Sequence, residues 1–226
     1  MNSKLDEIEV SKSSELHAVT HDMKTPLTIL LSYLEAIESD RILLTKEVVL
    51  TLKEEVYSLN RLIESVNKGS KEYLTEEINL SDLVIEHATK FKSIFDTKHI
   101  NLILKVDSDV TIIAERESIS RIVYNLLSNS FYYSNPRGSV TVSLSENEKV
   151  ILSISDTGIG IEDKYLKDVF KKNFRIESSR NLHKKGSGLG LYIIDLLVKD
   201  LSAEIEVLSE VGLGTEFKIY FDKSTS

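Results

Sequence analysis

Histidine 21 opens the run His21-Asp22-Met23-Lys24-Thr25-Pro26-Leu27. A carboxylate beside an imidazole can accept one ring N–H, fix the tautomer and leave the other nitrogen as a nucleophile. Asp22 is placed for that role. Thr25 lies four residues on, one helical turn along the same face, where its hydroxyl can orient a water. Against this, a lone histidine is most often an inert surface residue. His17 and His21 also have the i, i+4 spacing of a metal pair. The residues between them, Ala18-Val19-Thr20, lack the glutamate of a zinc protease helix, and no third ligand is evident.

A second group of candidates lies a hundred residues on. Asn125 and Asn129 stand one turn apart on one helical face, with Leu126 and Leu127 on another. Two stacked amide oxygens suit a hydrated Mg²⁺, which takes oxygen ligands and usually keeps phosphates and water. The bland alternative is an amphipathic helix with two surface asparagines. Asp156-Thr157-Gly158-Ile159-Gly160 follows a strand-like run. An ionised Asp156 only accepts hydrogen bonds, so it can take the exocyclic amine of adenine. Gly158 and Gly160 let the backbone turn sharply or approach a base. Alone, that pattern is often only a turn. Gly186-Ser187-Gly188-Leu189-Gly190 runs straight into a helical pattern, a geometry that offers backbone N–H groups to phosphates. Between these glycine segments lie Lys171, Lys172, Arg175, Arg180, Lys184 and Lys185. Such a charge run is usually a solvated face. Bounded by glycine turns, it also reads as a mobile lid over a triphosphate.

The elements that must position these residues fall into two kinds. Leu16, Val19, Met23, Leu27, Leu30, Leu34 and Ile37 recur at helical spacing, and Val49, Leu52, Val56, Leu59, Ile63 and Val66 form a heptad stripe. Residues 38–45 are a short connection, so the first part is a helical hairpin. His21 lies two positions from both Val19 and Met23, about 200° round the helix and away from the seam. Pro26 removes an N–H and bends that helix, or else Thr25 caps a new one; the continuing stripe favours one bent helix. Two helices alone cannot cover both stripes, and a symmetric dimer forming a four-helix bundle is the simple solution. From about residue 78 the pattern changes. Residues 100–106, 140–144, 150–154, 205–207 and 217–221 alternate as strands do, with helical stretches at 80–95, 115–133 and 188–201. The fold class is therefore α+β, with a helical domain at 1–74, a hinge near 70–78 and an α/β domain at 75–226.

Composition removes several functions. The 226 residues are 41% hydrophobic and 28% charged, enough to bury a core and stay soluble, with a net charge of −8 that opposes nucleic-acid binding. With no cysteine, thiolate catalysis, disulfides and cysteine-bound zinc are excluded. No apolar run approaches the roughly 18 residues of a membrane helix, and the polar start has no signal-peptide pattern.

Taken together, the segments resemble the sensor histidine kinases of two-component systems over nearly the whole chain. The His21 run resembles their phospho-acceptor box, and the Asn125–Asn129 helix their N box. Asp156 to Gly160 resembles the first glycine box, Phe170 to Arg175 the F box, and Gly186 to Leu191 the second glycine box. Gly212-Leu213-Gly214-Thr215-Glu216-Phe217 resembles the terminal Gly-x-Gly-Thr-x-Phe. Each element is modest alone; six in the family's order are specific. The resemblance implies a homodimer whose four-helix bundle carries His21, followed by a GHKL-type ATP-binding α/β sandwich. It implies ATP and Mg²⁺ at Asn125 and Asn129, adenine read by Asp156 and packed on Tyr133, and phosphates near Gly186, Gly188 and Gly190. Arg175 would contact the terminal phosphate. His21, assisted by Asp22, would take the phosphoryl group and pass it to an aspartate of a response regulator. Thr25 would position water when the protein acts as that regulator's phosphatase. The resemblance further implies the cytoplasmic part of a membrane receptor, with the first helix continuing upstream.

Departures from the family pattern are local. Tyr132 stands where many members have Lys, Asn173 where the F box usually has Phe, and Leu201-Ser202-Ala203 replaces a common His-Gly-Gly. The Tyr132-Tyr133-Ser134 run looks more like the vancomycin-resistance sensors and other Gram-positive cell-envelope kinases. Tyr132 and Asn173 are the support for an alternative, a degenerate or phosphatase-biased nucleotide-binding scaffold. A chaperone- or topoisomerase-like ATPase of the same fold is a third reading, opposed by the hairpin with His21.

Overall fold

The computed structural model describes residues 20, 23–24, 26–45, 48–49, 51–53, 55–57, 59–60, 75–171, 174 and 190–223. The described residues fall into two compact units, those between 20 and 60 and those between 75 and 223.

In the first unit, Met23, Lys24 and residues 26–38 are helical (α1), and the helical pattern passes Pro26, which is buried. Thr25 lies outside the described residues. The helix stops at a tight turn. Arg41 N donates to Ala36 O at 2.9 Å, and Asp40 adopts the left-handed conformation, φ 52°, that commonly ends helices. The described residues between 48 and 60 form α2. Thr45 caps it, its Oγ1 accepting from Val48 N at 3.3 Å. Within a single chain, the side chains that α2 buries are Val48, Thr51 and Glu55, spaced 3 and 4 apart. Of the described heptad residues, Val49 and Val56 are exposed while Leu52 and Leu59 are half-buried. Val56 is 45% exposed and, on α1, Leu34 is 53% exposed.

The second unit is a two-layer α/β sandwich. Strands β1 (Glu76–Asn79) and β3 (Thr111–Ala114) pair antiparallel in a small sheet. The main sheet has the order β2-β4-β5-β7-β6, from β2 (Asn101–Val106), β4 (Ser139–Glu146), β5 (Val150–Asp156), β6 (Glu204–Glu210) and β7 (Gly214–Phe221). Only β2 and β4 run parallel. Side chains alternate faces along a strand. The register therefore lines up Val142 with Ile154 and Ile154 with Phe217, then Leu144 with Leu152 and Leu152 with Ile219. All six are buried. The other face is polar, with Ser153 Oγ donating to Glu216 Oε1 at 2.6 Å and Tyr220 OH donating to Glu206 Oε2 at 2.6 Å.

Helices α3 (Leu80–Phe95), α4 (Arg116–Tyr133) and α5 (Gly190–Asp200) complete the core. Asn79 caps α3, its side chain accepting from Asp82 N at 3.0 Å. Phe91 meets Tyr124 edge-on at 5.2 Å, and Phe95 meets Phe131 at 6.2 Å, which locks α3 to α4.

The alternation expected for residues 100–106 is weaker in the structure. Leu104 is 41% exposed and Ile103 is half-buried. β2 is an edge strand with a partner on one side only, so its faces are less strongly sorted. Strands β1 and β3 carry too few apolar residues to show a period.

Candidate active site

A cleft opens between α4, α5 and the ends of β5 and β7. It contains about 610 Å³ of empty space including its solvent-facing mouth, and Asn129, Tyr133, Asp156, Gly160, Phe174, Leu191 and Thr215 line it with neighbouring apolar side chains.

Asp156 forms one end. It is the last residue of β5, where the strand leaves the sheet. Its Oδ1 accepts from Gly158 N at 2.8 Å, and its carboxylate also accepts from Thr215 N. Burial nevertheless wins over these two N–H groups and pushes the carboxyl up to about 6. A buried carboxylate with unfilled acceptor capacity is a site for a hydrogen-bond donor from a ligand. Gly160 is required by the turn that follows. Its φ is +69°, and a Cβ there would overlap the Glu210 carbonyl oxygen. A Cβ on Gly158 would likewise overlap the Tyr133 carbonyl oxygen.

Tyr133 reaches the cleft because the last turn of α4 is held from both sides. Ile159 N donates to Tyr133 O at 3.2 Å, and Ser134 bridges Gly158. On the far side, Lys98 Nζ donates to Phe131 O at 2.7 Å and lies 4.5 Å from the centre of the Phe131 ring. A cation on the final carbonyls of a helix complements its dipole.

The asparagines form the other end. Asn125 Nδ2 donates to Arg121 O at 2.9 Å, which turns its Oδ1 outward. A Cβ placed on Gly190 would lie 3.4 Å from Asn125 Oδ1 and 3.9 Å from Asn129 Oδ1. Both amide oxygens therefore converge on Gly190, the first described residue of α5. Asn129 Nδ2 is buried and has no hydrogen-bond partner. Two amide oxygens and an orphaned donor side by side fit a hydrated Mg²⁺ bound through phosphate oxygens. No cluster of three His, Asp or Glu able to hold a metal exists among the described residues.

The structure thus lines one cleft with Asn129, Tyr133, Asp156 and Gly160, sets Gly158 against Tyr133 and Asp156, and places Gly190 beside Asn125 and Asn129. His21, Asp22, Thr25, Arg175, Gly186 and Gly188 lie outside the described residues, as do Lys172 and Asn173. Thr215 and Phe174 line the cleft but were not singled out as ligand-binding residues. The signal for Thr215 was present in the terminal Gly-x-Gly-Thr-x-Phe, and that for Phe174 in the run Phe170 to Arg175. The Tyr132 ring packs edge-on against Phe131 at 5.4 Å.

Comparison with known proteins agrees with this geometry. Residues 11–71 match the family described as His Kinase A (phospho-acceptor) domain. Residues 114–225 match the family of histidine kinase-, DNA gyrase B- and HSP90-like ATPases. The histidine protein kinase SaeS of Staphylococcus aureus (strain USA300) is 33% identical over 227 residues, covering 94% of this chain. The chain spans 64% of that relative's length. Among solved structures, the Acinetobacter baumannii histidine kinase AdeS aligns with a TM-score of 0.62 at 21% identity, covering 91% of this chain and 98% of that one. The mycobacterial sensor histidine kinase MprB aligns with a TM-score of 0.59 at 23% identity, covering 68% of this chain and all of the other. At those identities the structures speak for the fold alone. The two family matches in sequence order, the SaeS likeness along nearly the whole chain and the cleft at the end of β5 converge: the chain belongs to the sensor histidine kinases, which join a phospho-acceptor helical domain to a GHKL-type ATPase domain.

Proposed function

We propose that the chain phosphorylates its own His21 from MgATP and passes the phosphoryl group to an aspartate of a response regulator. The observation that carries this reading is the two-ended cleft. A buried acceptor, Asp156, marks one end, and two convergent amide oxygens at a helix start mark the other.

Asp156 accepts the adenine amine, and Tyr133 lies against the base. Asn125 and Asn129 hold Mg²⁺, and the N–H groups at the start of α5 receive phosphate oxygens. The metal supplies neutralisation of phosphate charge. A ring nitrogen of His21 forms the N–P bond as the bond from the γ-phosphorus to the bridging oxygen breaks, and ADP leaves with that electron pair. Asp22 takes up the ring proton at the opposite nitrogen. Arg175 counters charge on the transferring group. Thr25 positions a water when the chain removes phosphate from the regulator.

The homodimer belongs to this reading, because the heptad face at Leu34 and Val56 is uncovered in one chain. So does placement at the cytoplasmic end of a longer receptor. No helix among the described residues is long and apolar enough to cross a membrane.

The test is the Asp156→Ala variant. It leaves the base amine without a buried acceptor, so ADP affinity falls about tenfold to a hundredfold and labelling from γ-labelled ATP falls with it. Calorimetric titration reads the affinity. An unchanged ADP affinity would remove the base from this end of the cleft.

A further inference from the structure

Ser209 lies outside every motif discussed above, on β6 opposite Thr215 of β7. Its hydroxyl sits in a three-way junction. Ile161 N donates to Ser209 Oγ at 2.8 Å. Ser209 Oγ donates to the Gly214 carbonyl oxygen at 2.9 Å, which can only accept. Thr215 Oγ1 lies 2.8 Å from Ser209 Oγ.

Proton counting settles that last contact. A serine hydroxyl has one proton and two lone pairs. The proton is spent on Gly214, and Ile161 N takes one lone pair. Thr215 must therefore donate into the other. The Thr215 hydroxyl proton is then spent on Ser209, which leaves Thr215 Oγ1 only lone pairs for any other partner. Thr215 lines the cleft beside Asp156, and its own N–H already serves the Asp156 carboxylate. When ionised, Asp156 also only accepts. Asp156 and Thr215 then present two acceptors side by side at the base end of the cleft.

We infer that Ser209 is a positioning residue for base selectivity: it holds the Thr215 hydroxyl as an acceptor, so the cleft favours a 6-amino purine over a 6-oxo purine. Ser209 touches no ligand itself. It acts through Thr215 and, by holding Ile161 N, through the loop that carries Gly158 and Gly160. A 6-amino group donates to both acceptors. A 6-oxo group sets a lone pair against them, a mismatch that selects more strongly than a missing contact. This inference rests on the nucleotide reading of the cleft.

The experiment compares ADP and IDP binding by calorimetry in wild type, Ser209→Ala, Ser209→Thr, Thr215→Val and the Ser209→Ala/Thr215→Val double variant. In Ser209→Ala the Thr215 proton is released to turn toward the base. The preference for ADP over IDP then falls about threefold to tenfold, the size of one hydrogen bond. Ser209→Thr keeps the hydroxyl and the preference. Thr215→Val lowers the preference by itself, and adding Ser209→Ala to it changes nothing further. Equal weakening of ADP and IDP in Ser209→Ala would make Ser209 a purely structural residue and overturn the inference. Should that variant fail to fold, an unchanged preference in Thr215→Val overturns it equally. If the wild-type chain binds neither nucleotide, the nucleotide reading fails and this inference with it. Binding of both with an unaltered ratio across the variants sinks the inference alone.

Discussion

At the residue scale, Asp156 was readable from sequence because it combines a strand end, an acidic side chain and two glycines within five residues. Its electrostatics were not readable. They arise from the depth of the β5–β7 junction, which places burial in opposition to two N–H donors and leaves the carboxyl near 6 rather than the ordinary 3.8. The sign of the consequence follows. A carboxyl raised on folding favours the protonated folded state, so its stabilising effect is full below the ordinary value and is lost as pH rises through about 6. Ligand binding opposes this, because the base amine requires the ionised form. ADP affinity should therefore be flat above about pH 7 and fall as pH drops through 6, with proton release on binding near pH 6. Calorimetry in buffers of different ionisation enthalpy reads both effects. An affinity that rises on acidification would contradict the assignment. Ser209, and the polarity of the Thr215 hydroxyl, escaped the sequence reading for a related reason: a hydroxyl's polarity depends on proton counting among partners that only the folded strand pair brings together.

At the scale of elements, the sheet was legible where strands sit in the interior. Val140, Val142 and Leu144 alternate with Thr141 and Ser143, and the structure buries the first set. Edge strand β2 and the short β1–β3 pair were less legible, because burial on one side or over four residues leaves little period. The hairpin gives a different lesson. Its heptad stripe is strong in sequence, yet the single chain buries the adjacent row of Val48, Thr51 and Glu55 instead. Glu55 is fully buried, neither carboxylate oxygen has a partner, and burial pushes its carboxyl up to about 7. A charged carboxylate there is costly. The folded pKa exceeds the unfolded value of 4.5, so stability from this group is present below that value and is lost as pH rises through about 7. Glu55→Gln removes the charge while keeping the shape. It should raise the unfolding temperature of the helical unit by a few degrees at pH 8 and by much less at pH 5. Thermal scans at the two pH values read this; an equal change at both would show that Glu55 is neutral throughout or partnered.

At the scale of the whole molecule, each unit carries a surface or cleft that is incomplete alone. The helical unit leaves Leu27, Leu34 and Val56 between 45% and 53% exposed on a patterned face. Covering the exposed half of such a side chain is worth about 1 kcal/mol, half of the value for full burial. Leu34→Glu with Val56→Glu should turn a dimer into a monomer in sedimentation equilibrium while ADP binding by the α/β unit is retained. A dimer that survives both charges would place the interface elsewhere. The α/β unit, in turn, holds a cleft with no histidine among its described lining residues. The account therefore depends on a phosphoryl group moving from that cleft to His21. The most direct measurement is incubation with γ-labelled ATP and Mg²⁺, wild type beside His21→Ala, with the label then exposed to acid and to alkali. The account predicts label in wild type that is acid-labile and alkali-stable, and none in His21→Ala, which still binds ADP normally. Acid-stable label, or label that persists without His21, would contradict it.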